Sequence, residues 1–291
     1  MLESKSHGYS AEQIEWQLNP AVSIPNQNEL NALSQKRAAE YRKGVKNVVY
    51  NVSYGARARE TLDIFLPDKP SKAPVEIFIH GGYWRRREKE GYSYLAEQIT
   101  KAGGISIIAE YELCPNVTLD EIVCEMRLCC AWVYDHISEY GGDPNRIHLC
   151  GNSAGGHLVA MMLATDFTAV SPSLPRDIVK GAVPISGIYD CRPVIDISMN
   201  KEIGLDQEMA RRNSPVFLRP VARCPIVVAV GGAETDEFRR QSRALVDVWK
   251  SFGRNIEYLE APGANHVTVV SETDTRGHPL MEARLRLMGI G

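Results

Sequence analysis

No run in this 291-residue chain approaches the roughly 20 apolar residues that a membrane-spanning helix needs, so a helical membrane anchor is not expected. Met1 to Ser10 is polar and lacks the apolar core of a secretory signal. An excess of one charge is also missing. Lys and Arg number 33 against 36 Asp and Glu, a formal charge of −3, which gives no electrostatic reason to expect nucleic acid or an anionic membrane as partner. The densest basic run, Arg85-Arg86-Arg87, is offset at once by Glu88 and Glu90. The seven cysteines include no C-x-x-C pair, and Cys129, Cys130 and Cys150 lie in apolar runs, as small buried thiols do. A reduced, cytoplasmic compartment is the expectation. No HExxH and no paired Cys/His ligand pattern occurs, so neither a metal nor another cofactor is expected.

What is present is an alternation of strands and helices, without internal repeat or low-complexity linker. A surface helix over Asn28 to Lys43, stopped by Gly44, precedes two half-exposed strands, Val45 to Ser53 and Thr61 to Leu66. Short apolar strands follow at Val75 to Ile79, Ile105 to Ala109, Arg146 to Cys150, Val179 to Ile185, Ile226 to Val230 and Ile256 to Glu260. Helical stretches lie between them at Tyr92 to Ala102, Leu119 to Tyr140, Gly156 to Leu163 and Glu237 to Phe252. The pattern predicts one α/β domain over 1–291, with a mostly parallel central sheet covered by helices on both faces. Residues 1–44 read as a helical N-terminal extension. Residues 186–222, with Pro193, Pro215 and Pro220, read as a cap or lid insertion over the edge where the strands end.

Chemistry enters at Gly151-Asn152-Ser153-Ala154-Gly155, a G-x-S-x-G sequence with a strand before it and a helix after it. Ser153 is the expected nucleophile. A serine hydroxyl needs a base to take its proton and an acid to orient that base, and on such a strand–turn–helix the chain order is Ser, acid, His. His266, in a glycine-bearing loop past the last strand, is the expected base; His278, in a polar tail beside Pro279, reads as a surface residue. The acid is Glu234 or Asp236, both in the loop after Ile226 to Val230. Asp236 has a competing role as an acidic group in the first turn of a helix. Upstream, His80-Gly81-Gly82-Tyr83-Trp84 follows a strand directly. Its backbone N–H groups at Gly81, Gly82 and Tyr83, with that of Ala154, form the expected oxyanion hole, and His80 reads as a brace for the loop. Trp84, Asn152, Tyr111 and Tyr189 are candidate pocket residues. Arg85 to Arg87 either meet a substrate carboxylate or form a solvated basic patch.

His80-Gly81-Gly82-Tyr83-Trp84, Gly151-Asn152-Ser153-Ala154-Gly155-Gly156-His157 and Glu237-Phe238-Arg239-Arg240-Gln241-Ser242 together resemble the α/β-hydrolase arylformamidases (kynurenine formamidases) and their esterase relatives. The resemblance implies an α/β-hydrolase fold, an acid a few residues before the Glu-Phe pair, which favours Glu234, and an aryl formamide such as N-formylkynurenine as substrate. It also implies a place in tryptophan catabolism. The chain departs from the pattern at Asn152, where histidine is common, at Glu234, where aspartate is usual, and at Val267, where an aromatic residue is usual. The expected partner is thus a small aryl amide or ester. The alternatives are a carboxylesterase, amidase or carbamate hydrolase and, more remotely, a non-catalytic ligand-binding protein on the same fold. Oligomeric state, a homodimer included, is not legible in the chain.

Overall fold

The computed structural model describes residues 8–272 and 274–291; the first seven residues of the expected N-terminal extension lie outside them. Eight strands form one sheet in the order β1-β2-β4-β3-β5-β6-β7-β8. They are β1 (Val48–Ser53), β2 (Thr61–Phe65), β3 (Ala73–Ile79), β4 (Ile105–Ala109), β5 (Gly142–Asn152), β6 (Val179–Ile185), β7 (Ile226–Gly231) and β8 (Ile256–Ala261). β2 runs antiparallel to both β1 and β4, and the other pairs are parallel. Strands buried on both faces should be apolar throughout rather than alternating, and β3, β4 and β7 are buried at every position.

The helices are α1 (Ala11–Leu18), α2 (Pro20–Ser23), α3 (Gln27–Gly44), α4 (Ala96–Lys101), α5 (Leu119–His136), α6 (Ala154–Leu163), α7 (Asn200–Ile203), α8 (Gln207–Arg212), α9 (Asp236–Ser251), α10 (Thr268–Ser271) and α11 (Pro279–Met288). Successive side chains of β3 point to opposite faces. Ile77 and Ile79 belong to the core on one face of the sheet, with Met126 of α5, Leu158 of α6 and Leu245 of α9, while Phe78 belongs to the core on the other face, with Ala38 of α3, Ala96 of α4 and Leu280 of α11. α11 replaces the polar tail expected around His278. The His278 side chain accepts the Leu280 N–H at 3.1 Å as N-cap, Pro279 opens the helix, and Leu280, Met281 and Leu285 are buried. Tyr92 to Ala102 also differs from a single α-helix: it begins as a 3-10 turn over Lys89–Leu95 before α4.

The topology sets the place of the site. The chain leaves β3 for β4 on one side and returns to β5 on the other, so a crevice opens beyond the carboxyl ends of β3 and β5. Ile79 pairs with Gly151 and Asn152 with Ile185, which brings the residues after β3, β5 and β6 side by side.

α1 to α3 pack over this crevice. Ile14 and Leu18 are buried, Thr235 Oγ1 donates to the Gln17 carbonyl at 2.6 Å, and Glu237 N donates to Gln17 Oε1 at 3.0 Å. Segment 186–222 carries α7 and α8, and Ser198 donates to Glu15 of α1 through N (2.7 Å) and Oγ (2.6 Å).

Candidate active site

Ser153 stands between β5 and α6 with φ +56° and ψ −120°, a backbone conformation that costs a non-glycine residue roughly 1–3 kcal/mol. The turn closes because Gly155 has no side chain. A Cβ there would lie 1.9 Å from the Ile79 carbonyl oxygen of the neighbouring strand. The result is a hydroxyl aimed away from its own backbone.

His266 arrives from the loop after β8. Ser153 Oγ lies 2.9 Å from its Nε2, and Glu234 Oε2 lies 2.6 Å from its Nδ1. With Nδ1 protonated, the imidazole donates to the carboxylate and offers Nε2 as acceptor to the serine hydroxyl. The Phe238 ring, at 4.1 Å between centroids, backs the imidazole. Of the two candidate acids, the structure brings Glu234 to the histidine. Asp236 opens α9, has a side chain 71% exposed, and pairs with Arg239 at 2.5 Å.

Glu234 is held on its far side as well. Its Oε1 accepts the Gly231 N–H at 2.7 Å and the hydroxyl of Ser186, a fully buried residue just past β6. Sequence reasoning passed over Ser186. Its only signal is a serine at the carboxyl end of a buried strand, which becomes meaningful once β6 is known to lie between β5 and β7.

The loop after β3 approaches Ser153 from the other side. The backbone N–H groups of Gly82, Tyr83 and Ala154 have no partner among the described residues, whereas the Gly81 backbone meets the Tyr92 hydroxyl. Gly82 has φ +118°, and a Cβ on it would fall 2.0 Å from the Arg86 carbonyl oxygen. His80 braces this loop. It stacks on Tyr111 at 4.3 Å, and its ring nitrogens face the Gly81 carbonyl and Glu110 Oε1, both at 2.7 Å. Burial alone would raise the Glu110 carboxyl, yet His80, Arg59 and the Lys89 N–H together hold it below the usual carboxylate range.

A cavity of about 790 Å³ opens onto Ser153, His266, Gly81, Gly82, Tyr83 and Asn152. Much of its lining comes from the α1–α3 region, through polar residues such as Asn19, Gln27, Asn31 and Gln35; segment 186–222 supplies Met199. Of the four residues expected in the pocket, Asn152 lines this cavity. Trp84, Tyr111 and Tyr189 do not: all three are fully buried in the core. Trp84 meets the His157 ring nearly at right angles, 4.9 Å between centroids, Tyr111 donates its hydroxyl to the His80 carbonyl at 2.8 Å, and Tyr189 covers Gly187. Large aromatic side chains beside a loop gain more from complete burial than from facing a polar, wet cleft. Among the described residues no group of three or more His, Cys, Asp and Glu is placed to hold a metal, and no helix is long and apolar enough to cross a membrane.

His157, one turn into α6, is fully buried, and burial lowers its pKa from 6.5 to about 4 although Nε2 meets the Asn213 carbonyl at 2.7 Å. The unfolded chain therefore takes up this proton at a higher pH than the folded one. The stability it confers is complete above about pH 6.5 and is lost as pH falls towards 4, a change of about 3 kcal/mol. Asp274, pushed up to about 6 chiefly by burial, acts in the opposite sense over much of the same range. Urea unfolding at several pH values should thus show a shallower acid loss of stability in His157→Gln than in the unaltered protein. Parallel curves would refute the assignment to His157.

Comparison with known proteins places this geometry among relatives. The BD-FAE family model matches residues 62–218. A kynurenine formamidase of Danio rerio is 30% identical over 96% of this chain and 97% of its own. One from Salmo salar is 32% identical over 87% of this chain and 86% of its own. Among solved structures, a candidate thioesterase from Silicibacter sp. tm1040 superposes with a TM-score of 0.82 at 28% identity, covering 93% of this chain and 98% of that one.

Proposed function

Because the chain belongs to the BD-FAE family, among the kynurenine formamidase-like α/β-hydrolases, we propose that it is a serine hydrolase that cleaves an aryl formamide of the N-formylkynurenine kind to formate and an aryl amine. One observation carries this reading: the Ser153–His266–Glu234 chain of contacts, at 2.9 and 2.6 Å, beside three backbone N–H groups that have no partner among the described residues.

The chemistry follows from those positions. His266 Nε2 takes the Ser153 proton as Oγ attacks the formyl carbon, and Glu234 stabilises the imidazolium that forms. The N–H groups of Gly82 or Tyr83 and of Ala154 receive the oxyanion, a contribution worth about 3–4 kcal/mol of barrier per donor. His266 then protonates the leaving amine nitrogen, and a formyl ester remains on Ser153. Water, deprotonated by the same imidazole, attacks this ester and releases formate with the serine hydroxyl restored.

A second reading, a carboxylesterase, amidase or carbamate hydrolase for small aryl substrates, is favoured by the cavity. About 790 Å³ is far more room than a formyl group occupies, so larger acyl groups also fit. Rates with N-formylkynurenine, p-nitrophenyl acetate and an aryl carbamate, measured side by side, separate the two. The formamide is expected to show the highest kcat/KM. If it ranks last, the formamidase reading falls and the esterase or carbamate reading replaces it.

A further inference from the structure

We propose that Arg86 and Arg87 form an anion subsite at the mouth of the Ser153 cavity, one that selects substrates carrying a carboxylate remote from the scissile bond. The inference rests on the hydrolytic reading of that cavity and adds to it the residues that set substrate preference.

The three arginines after Trp84 have different fates. Arg85 is committed to Glu202 at 2.6 Å and does not line the cavity. Arg42, a further cavity arginine, is spent on Asp63 at 2.6 Å and Ser93 at 2.9 Å, with its guanidinium over the Tyr50 ring. Arg86 and Arg87 line the cavity too, and neither has an ion pair or a side-chain hydrogen bond among the described residues. The acids on the same rim do not neutralise them: Glu90 is taken by Lys89 at 2.6 Å, and Glu88 makes no ion pair with either arginine. Partial desolvation and the charges of Arg85 and Arg87 lower the Arg86 pKa, with Glu202 pulling the other way.

Their backbone is held in place, Arg86 on the oxyanion loop and Arg87 on Arg59. Arg86 N donates to the Gly82 carbonyl at 3.2 Å, and the Arg87 carbonyl accepts Arg59 Nη2 at 2.7 Å. With their backbone fixed close to the Gly82 and Tyr83 N–H groups, the two unpaired guanidinium groups can meet a carboxylate on a substrate whose carbonyl sits at Ser153. The amide-bearing residues of the α1–α3 region that also line the cavity, Asn31 and Gln35 among them, supply polar surface rather than an apolar slot for a neutral tail. Arg86 is exposed and Arg87 half-buried, so the pair acts mainly on binding and each contributes modestly.

The test uses two matched esters, 3-acetoxybenzoate and its neutral methyl ester, with the unaltered protein and an Arg86→Gln/Arg87→Gln variant. In the unaltered protein the anion should bind with the lower KM, an advantage that shrinks between about 0.02 M and about 0.3 M salt. The variant should raise KM for the anion about 10-fold with kcat nearly unchanged, and leave the methyl ester unaffected. Turnover of the methyl ester serves as the control for folding. Equal KM values for the two esters in the unaltered protein, or equal changes in the variant, overturn the subsite. If neither ester is cleaved and a fluorophosphonate fails to label Ser153, the hydrolytic reading beneath it fails instead.

Discussion

Ser153→Ala should lower kcat by about 10⁵- to 10⁶-fold towards any ester or amide the protein cleaves, with little change in melting temperature. The two effects separate for a physical reason. Alanine removes the nucleophilic oxygen but keeps a Cβ, so the φ of +56° at this turn carries the same strain before and after the change. What the fold loses is one hydrogen bond, from Ser153 Oγ to His266 Nε2 at 2.9 Å, worth about 1 kcal/mol. A fluorophosphonate should label the unaltered protein at Ser153 and leave the variant untouched. Turnover within tenfold of the unaltered protein would rule out attack by this serine.

Glu234→Gln should cost about 10⁴-fold in kcat, while Asp236→Asn should change it by less than about threefold. The surroundings of Glu234 explain why an isosteric change is so damaging. Ser186 Oγ and the Gly231 N–H both donate to Oε1. In a glutamine that position is filled best by the carbonyl oxygen, which turns the NH₂ group towards His266 Nδ1. The imidazole then holds its proton on Nε2, facing Ser153, and cannot act as a base. Asp236 lies outside this chain, exposed and paired with Arg239, so its amide should be nearly silent. Measuring both variants in parallel with a shared substrate decides the matter. An inactive Asp236→Asn beside an active Glu234→Gln would reverse the assignment.

These expectations draw unequally on the sequence and the three-dimensional arrangement. The parallel strands β3 to β8 were legible because short apolar runs bounded by glycine and turn residues have few other uses in a chain of this length. The strand before Gly151 and the helix after Gly155 were legible for the same reason, and the glycines are steric necessities that sequence carries directly. α11 was not legible: only its packing on the sheet distinguishes it from a polar tail. Trp84, Tyr111 and Tyr189 show the same limit at the site. An aromatic residue next to a glycine loop has the same composition whether it faces a ligand or the core, and here the core took all three.

By itself, then, the sequence determined the α/β alternation, Ser153 at a strand–helix turn, the glycine loop at Gly81 and Gly82, and the chain order that singled out His266. Each follows from local rules of backbone conformation and hydrophobic period, which act over a few residues. Only the tertiary structure decided that Glu234 rather than Asp236 faces His266, that Ser186 secures that carboxylate, and that the α1–α3 region helps wall the cavity that Arg86 and Arg87 line with no ion pair among the described residues. Those facts depend on contacts between residues tens to hundreds of positions apart, such as Glu237 with Gln17 or Thr235 with Gln17. No local propensity encodes them, because they are fixed by how the sheet order and the packing of whole elements bring distant segments together.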